Sequence, residues 1–223
     1  VELEATSGRK LDAWVKTWLQ TAGVNTLRPV LDIDGDTYKS ISISQEAPRV
    51  PAGSKELRPH RLAVGLYDIS GGSLKLRKSV ELDVVGATTV VADLAGEKVA
   101  DLLLINDRDL SYAKIRFDDR SIATLKTHLG KFDDALARAL CWTAIWDMHR
   151  DAEISSADFI EIALSGLAGE GDDAIVSTVL MQLSTSVEAY SKEANRNSYR
   201  EKLADGLWAL AQNSKPGSDL QLL

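Results

Sequence analysis

The chain has 223 residues, 44% hydrophobic, 26% charged and 6% aromatic, with a net charge of −7. That composition fits a soluble globular protein of one large or two small domains. The acidic balance argues against a nucleic-acid partner, which asks for a basic face, and no apolar run approaches the roughly 20 residues of a membrane span.

The single cysteine, Cys141, cannot close an intramolecular disulfide. It fits a small core residue in a reducing, cytoplasmic setting. No signal peptide is visible. The chain starts at Val1 without a methionine and ends at Leu223 shortly after a Pro-Gly turn. Both ends read as cut, so a larger parent is expected.

Residues 1–23 carry Trp14 and Trp18 on a helix that ends at Gly23 and runs into a β-rich stretch. The segment reads as the tail of a preceding domain and is expected to be poorly anchored. Its tryptophans have three options: the following strands, a second copy, or solvent.

Residues 24–117 read as strands. The run 38–44 alternates with period two, as a half-buried strand does. Asp34-Gly35-Asp36 turns between strands at 28–33 and 37–45. A strand at 61–69 is joined to one at 74–84 by Ser70-Gly71-Gly72-Ser73, a strong hairpin signal. Asn106-Asp107-Arg108-Asp109 is read as the turn between strands at 102–106 and 112–117. Six or seven short strands predict an antiparallel β-sandwich.

Residues 118–223 read as helices. Asp118 or Asp119 caps one at 120–128, stopped by Gly130. Asp133 or Asp134 opens a second, at 134–150, apolar on more than one face and so packed on several sides. Ser155 or Ser156 caps a third at 157–167. Asp172 or Asp173 begins a fourth carrying Ile175, Val176, Val179, Leu180, Leu183 and Val187. A fifth covers 198–212. Together they predict a helix-pair, solenoid-like layer that breaks off. The fold class is α+β: a sandwich followed by a helical region. Charge divides the chain at the same place, with 16 basic and 16 acidic residues in 1–116 but 10 and 17 in 117–223.

Chemistry-bearing patterns are sparse. The three histidines, His60, His128 and His149, form no H-E-x-x-H pair, which would set two imidazoles one helical turn apart on zinc. In His149-Arg150-Asp151-Ala152-Glu153 a metal or acid–base cluster competes with a charged helix C-terminus meeting the negative end of the dipole, and the latter is preferred. Arg58-Pro59-His60-Arg61 either faces a carboxylate or blunts an exposed edge strand with charge, and the edge is preferred. Cys141, between Leu140 and Trp142, reads as core rather than nucleophile. Gly169-Glu170-Gly171-Asp172-Asp173 lacks the alternating ligands and terminal glutamate of a calcium loop and reads as a loop ending in a helix cap. No Gly-rich phosphate loop or nucleophile elbow is present. No catalytic, cofactor-binding or metal-ligating residue is assigned.

Several stretches resemble the zinc aminopeptidase N family, in its bacterial, actinobacterial-type branch. Trp14, Trp18, Leu19 and Gly23 resemble the end of that family's catalytic domain, and Val24-Asn25-Thr26-Leu27 follows as it does there. Arg58-Pro59-His60-Arg61-Leu62-Ala63-Val64-Gly65-Leu66-Tyr67 is similar to the same branch, as are 104–116, Arg138-Ala139-Leu140-Cys141-Trp142, Trp146-Asp147-Met148 and Arg150-Asp151. The resemblance implies that 1–23 is the C-terminal helix of an upstream catalytic domain, 24–117 the sandwich domain, and 118–223 the start of the helical C-terminal domain. It implies a parent that removes N-terminal amino acids from peptides with one zinc ion. The zinc motif and the other catalytic residues would lie upstream, so the fragment itself would hold no cofactor. This part would space and cover the active site and shape access for peptide substrates. Its partner is then the catalytic domain of the same chain, with neither membrane nor nucleic acid involved. The alternative is a non-enzymatic protein-interaction scaffold. A carbohydrate-binding sandwich is disfavoured, because the strands carry Tyr38, Tyr67, Tyr112 and Phe117 but no tryptophan.

Overall fold

The computed structural model describes residues 2–8 and 10–222. Val1 and Leu223, the two ends that read as cut, lie outside the described residues. Two short helices come first, α1 (Glu2–Ser7) and α2 (Asp12–Leu19). Seven strands follow: β1 (Thr26–Asp34), β2 (Thr37–Glu46), β3 (His60–Ser70), β4 (Ser73–Val84), β5 (Thr88–Val90), β6 (Leu102–Ile105) and β7 (Lys114–Ile115). They form a four-stranded sheet in the order β5-β2-β1-β7 and a three-stranded sheet in the order β4-β3-β6.

The turns follow local chemistry. In the β3–β4 hairpin Ser70 pairs with Ser73, leaving a two-residue loop. Its residues Gly71 and Gly72 have φ of 62° and 85°, the mirror-image turn whose twist matches the strands and which glycine adopts without strain. The rest of β3 is deeply enclosed. Leu62, Ala63, Val64, Gly65, Leu66 and Tyr67 are all buried, so both faces of this strand are covered. Gly65 is required there, because a Cβ would sit 2.7 Å from the Asp107 carboxyl carbon.

The expected hairpin of 102–106 with 112–117 does not form. β6 pairs antiparallel with β3, whereas β7 keeps two residues and pairs in parallel with β1. The reason lies in the connection. Asn106, at φ 63°, donates its amide to the Ser111 carbonyl at 2.7 Å and accepts from the Ser111 N–H at 3.1 Å. The asparagine side chain takes the place of a strand partner, and the chain crosses to the other sheet. The short strand β5 has no counterpart in the sequence reading.

Six helices follow: α3 (Asp119–His128), α4 (Ala135–Arg150), α5 (Ser156–Leu167), α6 (Asp173–Thr185), α7 (Glu193–Asn213) and α8 (Asp219–Leu222). Asp118, Asp134, Ser155 and Asp172 cap the N-termini of α3, α4, α5 and α6 with side-chain oxygens on first-turn amides. α7 begins five residues earlier than apolar periodicity suggested, because its first turns are polar. The Ser186–Tyr190 stretch before it is a π-helix, which a 3.6-residue pattern does not reveal. α5 lies among α3, α4, α6 and α7 and buries Phe159, Ile160, Ile162, Ala163, Gly166 and Leu167. One hydrophobic cluster runs from Leu27 through the strands to Val187, so sandwich and helices share a continuous core.

Candidate functional site at the sandwich–helix junction

Two separate attachments join the helices to the strands. The first, at the four-stranded sheet, is ionic. The α4–α5 turn reverses at Ala152, φ 61°, and the Glu153 amide bonds back to the Met148 carbonyl at 2.8 Å. This aims Asp151 and Glu153 at the strands. Lys114 Nζ lies 2.7 Å from Asp151, Arg28 Nη2 lies 2.9 Å from Glu153, and Arg116 bridges the two, its Nη2 on Asp151 and its Nε 2.8 Å from Glu153. The Arg116 side chain is only 1% exposed. Burial alone raises the two carboxyls, but hydrogen bonds and charge from Lys114, Arg116 and Arg28 outweigh it and hold both below their ordinary range. Nearby Asp147 goes the other way: burial lifts it despite the charges of Lys114, Arg116 and Arg150.

The second attachment, at the three-stranded sheet, is mainly neutral and apolar, with ion pairs only at its more exposed rim, Arg120 with Asp101 at 2.7 Å and Lys75 with Asp133 at 3.6 Å. Ser121 Oγ of α3 accepts from the Leu103 amide at 3.0 Å, and Thr124 Oγ1 donates to the Asp101 carbonyl at 2.7 Å. These side chains satisfy an edge of β6 that would otherwise be left unpaired in the core. Phe132 packs edge-on against Tyr67, with centroids 5.3 Å apart. Tyr67 in turn donates to the buried carboxylate of Asp107, which also accepts from Ser79 at 3.1 Å.

The second N-terminal helix, α2, is seated rather than loose. Arg58 donates from Nε to the Thr17 carbonyl at 2.9 Å and from Nη2 to Thr21 Oγ1 at 2.6 Å. Its guanidinium lies 5.6 Å from the Trp18 ring centroid. Trp18 meets His60 edge-on at 5.2 Å. Trp14, by contrast, is 41% exposed, so the two tryptophans divide between seat and solvent.

This overturns the edge-strand reading of 58–61. β3 is the central strand of its sheet, and Arg58 and His60 are buried. His60 shares a 2.6 Å hydrogen bond between Nδ1 and Ser111 Oγ. Burial, helped by the charge of Arg58, lowers its pKa to about 4. Of the charged side chains in this stretch Arg61 faces out, toward Glu81 and Asp83.

The run 149–153 also divides. His149 sits at the C-terminal end of α4, as expected, but is buried and stacked on Phe159 at 4.7 Å. Burial lowers its pKa, so a neutral ring stands where a cation was read. Asp151 and Glu153 serve the junction. Cys141 is core, its thiol pushed up by burial and then by the charge of Asp107. In the 169–173 loop Asp172 is the cap, as expected. Glu170, which carried no signal beyond its glycine neighbours, is a buried carboxylate holding Arg138 Nε and Trp142 Nε1, each at 2.9 Å. His128 Nδ1 lies 2.8 Å from Thr127 Oγ1.

Zinc does not fit these residues. Among the described residues no three His, Cys, Asp or Glu side chains converge as a metal would require. His60 and His149 each spend a ring nitrogen on a local hydrogen bond, and Cys141 is enclosed. Nor is any helix of the described residues long and apolar enough to cross a membrane.

Comparison with known proteins agrees with the resemblance read from the motifs. The chain is 44% identical, over 225 residues, to aminopeptidase N of Streptomyces lividans. That alignment covers 99% of this chain and 26% of the relative, so the chain spans about a quarter of the relative's length. The family model of the ERAP1-like C-terminal domain matches residues 102–223, more than half of the chain and including β6, β7 and every helix from α3 onward. The chain therefore belongs to the ERAP1-like C-terminal domain family.

Proposed function

We propose that this chain is the non-catalytic C-terminal part of a zinc-dependent, cytoplasmic aminopeptidase that removes N-terminal residues from peptides. Residues 1–23 form the end of its catalytic domain, 24–117 a sandwich spacer and 118–223 the start of a helical cover that shapes peptide access. The observation that carries this reading is the alignment of almost the whole chain with an aminopeptidase N. The junction supports the spacer role. A sandwich tied to the helices at both sheets keeps them at a fixed distance and angle. Arg58 and Trp18 tie the preceding helix to the same body.

The acidic excess of the helical part is a source of attraction for the cationic amino terminus of a peptide. Asp134, Asp151, Glu153, Glu170 and Asp172 are engaged in caps or buried pairs. The residues best placed for steering are the more exposed ones, such as Asp173 and Glu161, the latter only loosely paired with Lys126 at 3.6 Å. The test is the reading frame upstream of Val1. An H-E-x-x-H motif with a glutamate about twenty residues on is expected, and the full-length product should cleave aminoacyl substrates while this chain alone should not. A frame with no such motif would overturn the proposal.

A further inference from the structure

Between α4 and the connection from β6 to β7 lies a cleft of about 390 Å³. Its size is that of a small-molecule site, and such sites concentrate where two layers meet. Leu140, Ala144, Asp147 and Arg150 line it from α4, spaced so that they share one side of the helix. Val24 lines it from the start of the strand region. Asp147 is the unusual member of the helical row. A helix side turned toward another layer is ordinarily apolar, and the next carboxylate on it, Asp151, spends its charge on Lys114 and Arg116. The Asp147 carboxylate accepts no hydrogen bond among the described residues. The one cation it meets there is Arg150, at 4.0 Å, too far for a hydrogen bond.

The Asp147 side chain keeps 21% of its surface open, so the carboxylate is lodged in the cleft wall without being sealed. Lys114, Arg116 and Arg150 act on it through charge, but burial outweighs them and lifts its pKa, as expected of a carboxylate short of a partner. Arg150 is equally unspent. Its guanidinium, 54% exposed, has that 4.0 Å contact as its single ion pair among the described residues. The cleft thus sets a group that only accepts beside a group that only donates, next to the apolar Val24, Leu140 and Ala144. A metal ion does not fit, because no three ligating side chains converge among the described residues. A phosphate is repelled by Asp147 and a polyamine by Arg150. The complement is a molecule that carries both charges close together on an apolar body.

We propose that this cleft binds a free α-amino acid with an apolar side chain. Its ammonium donates to Asp147, its carboxylate accepts from Arg150, and its side chain covers Val24, Leu140 and Ala144. An α-amino acid bears both charges on one carbon, so it can insert into the long Asp147–Arg150 contact and give each group a hydrogen-bonded partner. The proposal stands on the charges and walls of the cleft and is independent of the peptidase reading.

Calorimetric titration of the whole chain at pH 7 and low salt with L-leucine, leucinamide and N-acetyl-leucine tests it. Saturable one-site binding of leucine is expected. Leucinamide lacks the carboxylate and N-acetyl-leucine lacks the ammonium, so each should bind at least ~10-fold more weakly. Asp147→Asn and Arg150→Ala should each weaken leucine by a similar factor. Arg150 is largely exposed, so Arg150→Ala should melt like the parent and keeps the test open if Asp147→Asn disturbs the junction. No saturable leucine binding up to ~10 mM would overturn the proposal. So would equal affinity for either analogue, which would show that one charge alone is read, or unchanged leucine binding in a folded Arg150→Ala chain.

Discussion

The two attachments of the helices solve one mechanical problem with opposite chemistry. At the three-stranded sheet, α3 and Phe132 are held mainly by packing and neutral hydrogen bonds to β6 and Tyr67, with the Arg120–Asp101 pair at the rim. At the four-stranded sheet, the α4–α5 turn is held by three cations and two carboxylates around the buried Arg116. Packing is indifferent to pH and non-directional, whereas a buried ion network is directional and depends on all its members. The apolar attachment supplies stability and the ionic one fixes orientation.

The sharpest way to break the apolar side is Phe132→Ala. It should destabilise the chain by about 3–5 kcal/mol, read as a lower urea midpoint with an unchanged slope. Because the core is continuous, sandwich and helices should still unfold together. Two separate transitions would show that the attachments do not couple them. On the ionic side, Arg116→Ala leaves Asp151 and Glu153 without their shared partner. The expected loss is about 3 kcal/mol, at the lower end for a buried pair because both carboxylates keep some solvent. Arg116→Met, which also fills volume, should lose less than Arg116→Ala.

Acid should distinguish the two sides. Asp151 and Glu153 have folded values below their ordinary ones. Their contribution is therefore complete above the unfolded carboxylate pKa of about 4 and is lost as pH falls through the folded values. His60 acts over a higher window. Its value is lowered from 6.5 to about 4, so stability should decline as pH falls from about 6.5 toward 4. His60→Gln should flatten that slope, leaving the share of His149, whose pKa burial also lowers, and keeping the one below pH 4. A pH profile of His60→Gln identical to the parent's would contradict the buried, neutral assignment. The smallest effect is expected at the exposed carboxylates: Glu161→Gln with Asp173→Asn should change stability by less than about 0.5 kcal/mol. In a full-length peptidase the same pair should raise KM for cationic peptides at low salt only.

Local rules carried far into this structure. Alternation at 38–44, the Gly71-Gly72 turn, and the caps Asp118, Asp134, Ser155 and Asp172 are each decided by residues within a few positions of one another, so they were legible in the sequence. So was the enclosure of Cys141 between Leu140 and Trp142. The junction was not legible, because nothing local pairs Arg28 with Glu153 or Arg116 with Asp151. Those partners lie 125 and 35 residues apart and meet only after both layers have formed.

The histidines show the same limit. His60 was read as exposed because its neighbours are charged, but a strand's environment is set by its place in the sheet. β3 lies between β4 and β6, and Arg58 turns inward to hold α2. By itself the sequence determined the division into strands and helices, the places where each helix starts, and the kinship carried by its motifs, since these depend on short-range sterics and hydrogen bonding. Only the tertiary structure decided that 112–117 leaves the hairpin for the other sheet, that Asp151 and Glu153 clamp the junction, and that His149 is enclosed against Phe159. Each of these depends on desolvation, and a residue's solvent is removed by neighbours distant in the chain.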